Sequence, residues 1–349
     1  LQYLKQNFKN LEDILYVSLD DVFFLTQSLS DMVETFSQEG GKLLVLDEVH
    51  KYEGWSRELK NIYDFYPELK VIFTGSSLLE IYKSEADLSR RAVSYNLHEL
   101  SLREYLELNH HIKLPVLKFN DILKNHTTIA ADIIQEIKII KYFHEYLKFG
   151  AYPFINEGKE DYYEKLNRTI WQEIEVDLPR LISIEYSSLQ KLKKLLYLIS
   201  SSVPYIPNIK DLSEKIGAGR DQVLKFIHML EKADLLLSTR PPGNASSYMT
   251  KPEKIYAHNS NILHSLVLEN VDIGTTRETF FANQIAQSLK VNHSKTADFL
   301  IADKYTFEVG GKNKTTKQIK QTANSFIAAD NLEIGYKNTI PLWMFGLLY

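Results

Sequence analysis

The apolar run Leu43-Leu44-Val45-Leu46 constrains the fold of this chain more than any other segment. It follows Gly40-Gly41-Lys42 and leads directly into Asp47-Glu48. A strand with one wet face alternates polar and apolar residues, whereas an unbroken run of strand length is buried on both faces, as in a parallel sheet covered by helices. The neighbouring segments agree with that reading. Ile14-Leu15-Tyr16-Val17-Ser18-Leu19 precedes a helical pattern from about Leu25 to Glu39, and a second helical pattern from near Trp55 to Tyr66 leads into Leu69–Phe73 and the turn Thr74-Gly75-Ser76-Ser77. Strand, helix, strand, helix at this spacing predicts an α/β domain with a parallel sheet.

Beyond it the chain changes character. From about Leu100 to Ser200 the pattern is helical, with Leu102–Leu108, Ile129–Phe149 and Asp161–Asp177 as its clearest pieces. Ile209–Gly217 reads as a short helix closed by glycine, Arg220–Ala233 as a second, and Leu235-Leu236-Leu237 as a strand before the turn Pro241-Pro242-Gly243-Asn244. Helix, turn, helix and hairpin is the order of a winged helix. The last part predicts a helix over Phe280–Leu289, strands over Asp298–Ile301 and Tyr305–Val309, a helix from Thr315 and a strand near Leu332–Ile334. At 349 residues the chain is long for one domain. The expected division is an α/β core at 1–108, a helical connector at 109–204, a winged-helix-like segment at 205–260 and an α+β segment at 261–349.

Composition removes several classes of function. Forty-one Lys+Arg against 45 Asp+Glu leave a net charge of −4, too mild to announce a nucleic-acid or membrane partner by bulk charge. The absence of cysteine excludes a disulfide scaffold and any Cys-ligated zinc or iron–sulfur site. No stretch approaches the roughly 18 apolar residues of a membrane span, and no signal peptide opens the chain, so a cytoplasmic protein is expected. The first residue is Leu1, and Leu1, Tyr3, Leu4 and Phe8 fall at helical spacing.

Asp47 and Glu48 carry the chemistry. Ligands of open parallel sheets gather at the carboxyl ends of strands, and a carboxylate pair there can serve a Mg²⁺-bound phosphate. Asp47 would hold the metal through water and Glu48 would polarise the attacking water. One strand later, the hydroxyls of Thr74-Gly75-Ser76-Ser77 would sit beside the same phosphate. A solvated strand end is the plainer reading of the carboxylate pair taken alone.

The stretches Leu44–Lys51, Trp55, Phe73–Ser77, Leu88-Ser89-Arg90-Arg91 to Leu97, and Leu100-Ser101-Leu102-Arg103-Glu104-Tyr105-Leu106 resemble the bacterial and archaeal AAA-type ATPases that carry a C-terminal domain of unknown function. The resemblance runs from the first helix to the last strand. It implies ATP and Mg²⁺ as cofactors, a P-loop NTPase-like fold, Asp47 and Glu48 as the Walker B pair, and Ser76 or Ser77 as the sensor of the γ-phosphate. It also places Arg91, with Arg90 beside it, as the arginine after the sensor strand. An arginine there neutralises charge on the transferred phosphoryl group, in cis or from a neighbouring subunit of an oligomer. The alternative is that Arg90 and Arg91 pair with carboxylates such as Glu85 and Asp87.

A phosphate-binding loop needs Gly-x-x-x-x-Gly-Lys-Ser/Thr. The Gly-Lys pairs Gly41-Lys42, Gly158-Lys159 and Gly311-Lys312 do not fit it. In the family the loop precedes a helix like Leu1–Phe8, so the chain is expected to start just after it and to bind ATP weakly or not at all.

In the winged-helix segment a DNA reader needs a basic face. Between Tyr205 and Ser260 eight Lys/Arg stand against six Asp/Glu, a weak footprint in which Arg220 and Lys225 on the second helix are the candidate contacts. Packing or contact with a partner protein is the competing use. Further on, Glu278, Asp298 and Glu308 follow the order of the PD-(D/E)xK nuclease-like fold that the family's C-terminal domain contains. The lysine expected two residues after Glu308 is replaced by Gly310, and Lys312 is the nearby substitute. A degenerate site is expected. Lys314, Lys317 and Lys320 form a possible basic ridge on the helix that follows. His50 could hydrogen-bond near the phosphate or orient a loop, while His110 and His111 suggest no metal. The expected function is therefore an ATP-hydrolysing AAA-type ATPase. The alternatives are an ATP-switched regulator that binds nucleic acid or protein through a degenerate nuclease-like module, and an active nuclease.

Overall fold

A computed structural model of the chain describes residues 10–75, 88, 90–181, 184–202, 204–243, 250–267, 271–314 and 322–349. The chain divides into two compact units, Leu1–Asn96 with Arg180–Ile182, and Leu97–Pro179 with Ser183–Tyr349.

In the first unit three strands, β1 (Ile14–Ser18), β2 (Leu43–Asp47) and β3 (Lys70–Phe73), form an all-parallel sheet in the order β1-β2-β3. The apolar run is thus the central strand, and Leu43, Leu44 and Leu46 are buried. Helices α1 (Leu29–Gln38) and α2 (Trp55–Phe65) supply the crossovers that parallel pairing requires. Leu29, Val33, Trp55, Leu59 and Ile62 pack with Leu44 and Leu46 in one core. Helix α1 starts later than the apolar pattern predicts. Ser28 caps it, its Oγ accepting from Asp31 N at 3.0 Å, while Val22–Leu25 forms a separate 3₁₀ turn capped by Asp21.

The second unit opens with α3 (Leu102–His110), α4 (Phe119–Glu136) and α5 (Ile139–Phe149). The single helix expected over Ile129–Phe149 is broken because Ile137 is extended, at φ −140 and ψ 146. Ile133 and Ile139 are six residues apart and would face different ways on one straight helix. The break lets both be buried. Helix α6 (Tyr162–Gln172) continues through a π-helical turn, Glu173–Asp177, and α7 (Tyr186–Ser200) follows. Next come α8 (Ile209–Ile216), α9 (Arg220–Lys232) and an antiparallel pair, β4 (Leu236–Thr239) and β5 (Lys254–Ala257). After α10 (Ser260–Leu266), α11 (Ile273–Ala286) lies against a five-stranded mixed sheet ordered β10-β9-β8-β7-β6. Its strands are β6 (Val291–His293), β7 (Phe299–Ile301), β8 (Tyr305–Gly311), β9 (Ser325–Asp330) and β10 (Thr339–Pro341).

The strand expected near Leu332–Ile334 is instead β9, whose Ile327-Ala328-Ala329 core is buried between β8 and β10. Small residues fit that crowded position but score poorly as strand formers. The final 3₁₀ segment, Leu342–Leu347, is buried at every residue. Its Phe345 packs with Phe281 and Phe307 at centroid distances of 4.8 and 5.6 Å. The helix expected from Thr315 lies outside the described residues. Among the described residues no helix is long and apolar enough to cross a membrane.

Candidate functional site

The geometry around Asp47 follows from sheet register. Tyr16 pairs with Val45 and Ser18 with Asp47 across β1–β2. Paired residues project to the same face and alternate along the strand, so Tyr16, Ser18, Val45 and Asp47 share one face. Asp47 and Tyr16 are diagonal neighbours, within reach for a long side chain. Tyr16 donates its hydroxyl proton to Asp47 Oδ2 at 2.6 Å. From the other side, Thr74 N bonds Leu46 O at 2.8 Å and Val49 N bonds Thr74 O at 2.9 Å, extending the β2–β3 pairing past Phe73. That extension brings the Thr74 hydroxyl onto Asp47 Oδ1, which also accepts from Glu48 N at 3.2 Å. These donors favour the charged carboxylate. The Thr74 hydroxyl, then the Tyr16 hydroxyl, hold the Asp47 pKa below its ordinary value.

Glu48 has a left-handed backbone, φ 54 and ψ 40, uncommon for a residue with a side chain. The turn redirects the chain into Val49–Lys51 and leaves the Glu48 carboxylate partly exposed, with its Oε2 3.5 Å from His50 Nε2. Thus His50 is buried against the second carboxylate. Arg91 forms a two-point pair with Asp64, Nε to Oδ1 at 2.9 Å and Nη2 to Oδ2 at 3.0 Å. Arg90 is exposed. Ser76, Ser77, Glu85 and Asp87 lie outside the described residues.

In the second unit, Glu278 on α11, Asp298 just before β7 and Glu308 within β8 converge. Lys254 Nζ lies 3.5 Å from both Glu278 Oε2 and Asp298 Oδ1. Tyr256 donates to Glu278 Oε2 at 2.9 Å, and Val309 N donates to Asp298 Oδ2 at 2.9 Å. The lysine that reaches Glu308 is Lys314, at 2.8 Å, and not Lys312, which is exposed. Burial, then the nearby Asp298 charge, raises the Glu278 pKa, and burial leads the causes that raise that of Glu308. Lys317 and Lys320 lie outside the described residues. Arg220 and Lys225 are exposed on α9. His110 ends α3, its ring tilted against Tyr142 at a centroid distance of 4.6 Å, rather than lying in a loop. Among the described residues no group of three or more His, Asp or Glu side chains is placed to hold a metal ion.

Residues 1–106 match the family model of an AAA domain. The match supports an AAA-type ATPase family for the segment that contains Asp47 and Glu48, and an AAA domain implies nucleotide binding. Residues 140–298 match a domain of unknown function, DUF8612. The chain is 27% identical to the uncharacterized protein MJ1637 of Methanocaldococcus jannaschii, over 92% of its own length and 74% of that protein. It is 23% identical to the uncharacterized protein MJ1544 of the same organism, over 72% of its own length and 54% of that protein. No solved structure matches.

Within the AAA segment, Tyr16 and Asp64 are partners that motif reading missed. Strand alternation holds a signal for Tyr16, the one large polar-tipped residue in β1. For Asp64 no local pattern points across to Arg91. Lys254, Tyr256 and Lys314 were equally hidden, because each reaches its carboxylate through tertiary packing.

Proposed function

We propose that the chain belongs to an ATP-hydrolysing AAA-type ATPase, with Asp47 holding nucleotide-bound Mg²⁺ through water and Glu48 as the base for the attacking water. The observation that carries this is the placement of Asp47 and Glu48 at the carboxyl end of the central strand, beside the Thr74 hydroxyl from the next strand. Mg²⁺ in phosphate sites is held by one or two carboxylates and by the phosphates themselves. A single ionised Asp47 fits that donor set. The ion supplies charge neutralisation at the phosphate oxygens, while Asp47 orients its water shell and Glu48 takes a proton from water. Ser76 or Ser77 reads the γ-phosphate, and Arg91, with Arg90 beside it, meets the transferred group once it leaves Asp64. Phosphate release from Mg²⁺-ATP by the full-length natural polypeptide tests the reading. Loss of at least tenfold in Glu48→Gln and Asp47→Ala supports it, and equal rates in all three proteins exclude it.

A second reading assigns the remainder of the chain to binding. Helices α8 and α9 followed by the β4–β5 pair have the order of a winged helix over 205–260, after a connector at 109–204. Over 261–349, Glu278, Asp298 and Glu308 have the order of a PD-(D/E)xK nuclease-like fold with a degenerate centre. Exposed Arg220 and Lys225 favour an ATP-switched regulator that contacts DNA or a partner protein. DNA affinity that falls steeply with salt and is lost in Arg220→Ala/Lys225→Ala supports this use. Affinity unchanged by the double substitution excludes those contacts.

A further inference from the structure

Asp298 and Glu308 line a solvent-open cavity of about 530 Å³, together with Lys314, Ser294 and Thr296, and Glu278 reaches Asp298 through Lys254. Three converging carboxylates beside such a cavity suggest a divalent-cation site, but the donor set is already engaged. Lys254 Nζ bridges Glu278 and Asp298 at 3.5 Å to each, in a position only 16% exposed. Lys314 Nζ pairs with Glu308 at 2.8 Å, and the Glu308 side chain is 3% exposed. Further hydrogen bonds come from Tyr256 to Glu278 and from Val309 N to Asp298, and Glu308 and Asp298 are themselves hydrogen-bonded.

Backbone geometry favours the same arrangement. A Cβ at Gly310 would stand 2.8 Å from Lys314 Cδ and 3.0 Å from its Cγ. Glycine there lets the Lys314 stem lie against strand β8 and deliver its ammonium to Glu308. Burial disfavours charge on Lys314, but the hydrogen bond and charge of Glu308 raise its pKa above the ordinary lysine value. A divalent ion would have to draw oxygens to about 2.0–2.6 Å. With the Lys254 ammonium between Glu278 and Asp298, the space an ion would fill between them is taken.

We infer that the Glu278–Asp298–Glu308 centre is compensated from within by Lys254 and Lys314, so that a divalent metal ion enters it only when Lys254 is removed. Lys254 thereby also ties strand β5 to helix α11 and to the segment that opens β7. None of this requires nucleotide at Asp47.

Mn²⁺ titration followed by electron paramagnetic resonance tests it, run on the whole chain and on Asp298→Asn, Lys254→Met, Lys254→Met/Asp298→Asn and Lys254→Arg. Expected is no difference between the starting protein and Asp298→Asn at millimolar Mn²⁺. Lys254→Met gains a site at least tenfold tighter, which disappears in the double variant, while Lys254→Arg excludes the ion as lysine does. Mn²⁺ binding by the starting protein that is lost in Asp298→Asn overturns the inference, whatever the fate of the other variants. A folded Lys254→Met that gains no site also overturns it. Because Lys254→Met also cuts a tie between elements, Lys314→Met is titrated beside it with circular dichroism as the folding control. If Lys254→Met does not fold, Mn²⁺ binding by Lys314→Met as tight as ten times that of the starting protein, with Lys254 still in place, contradicts the assignment to Lys254.

Discussion

Tyr16 and Asp47 are joined across the parallel pair β1–β2 by a 2.6 Å hydrogen bond from phenol to carboxylate. The bond stabilises the charged carboxylate and correspondingly raises the Tyr16 pKa, because ionising the phenol beside Asp47 would place two negative charges together. Thr74 is the stronger of the two influences on Asp47. Both Thr74→Val and Tyr16→Phe are therefore expected to raise the Asp47 pKa, with the larger rise in Thr74→Val. Titration of the Asp47 carboxyl carbon by NMR measures this. The reverse order would show that the phenol dominates.

Arg91 and Asp64 share two parallel hydrogen bonds, the geometry in which guanidinium and carboxylate fit best. An arginine held this way must exchange partners before it can meet a phosphoryl group. Arg91→Ala is expected to lower phosphate release at least tenfold, in line with the weight of arginine in phosphoryl transfer. Asp64→Ala, which removes this pair, is expected to raise it. Steady-state phosphate release on the full-length natural polypeptide distinguishes these outcomes from a purely structural pair, for which both variants would change thermal stability and leave turnover alone.

The parallel sheet was legible because burial on both faces removes polar residues from a central strand, and Leu43–Leu46 records that directly. Asp47 and Glu48 were legible because they end that strand. The partners were not. Tyr16 sits 31 residues from Asp47, and Lys254 sits 24 from Glu278 and 44 from Asp298. Such pairings depend on register and on how α11 packs, neither of which leaves a local pattern. Lys314, not the Lys312 expected from the sequence, reaches Glu308 for a similar reason. Gly310 opens a path along β8 that suits the lysine six residues after Glu308 rather than the one four residues after it. Strand β9 was missed because Ala328-Ala329 answers to space between two strands and not to strand propensity.

Glu99 and His258 form a buried ion pair at 3.3 Å, with Asn259 and Asn283 also donating to the same carboxylate oxygen and Asp234 3.7 Å from the other ring nitrogen. Burial opposes charge on both. The pair overcomes it, pushing His258 up to about 9 and Glu99 down to about 2 from ordinary values of 6.5 and 4.5. A raised histidine contributes stability that is complete below pH 6.5 and lost as pH climbs through about 9. A depressed carboxylate contributes stability that is complete above pH 4.5 and lost as pH falls through about 2. The pair therefore contributes fully between pH 4.5 and 6.5. Breaking it by Glu99→Gln is expected to cost about 3–5 kcal/mol in that window. The gap in unfolding free energy between the two proteins should narrow toward pH 9, and urea denaturation at pH 5.5 and pH 9 measures it. A gap independent of pH would mean that packing, not charge, carries the effect.

Gly346 lies in the wholly buried 3₁₀ segment Leu342–Leu347, and a Cβ added there would stand 2.6 Å from Leu102 Cβ and 3.2 Å from Phe280 Cζ. The nearest obstacle is fixed by the backbone of α3, so rotating a side chain does not relieve it. Gly346→Ala is expected to destabilise by about 1–3 kcal/mol or more, the range for an overfilled core. Leu102→Ala keeps the offending Cβ and is expected not to rescue Gly346→Ala, although it empties space beyond it. At Gly310 the nearest atom is instead Lys314 Cδ, on a flexible stem, so Gly310→Ala should cost less stability while loosening Lys314 from Glu308. Urea midpoints of the four proteins, Gly346→Ala, Leu102→Ala, their double variant and Gly310→Ala, decide the matter. A double variant as stable as Leu102→Ala alone would show that the α3 backbone yields.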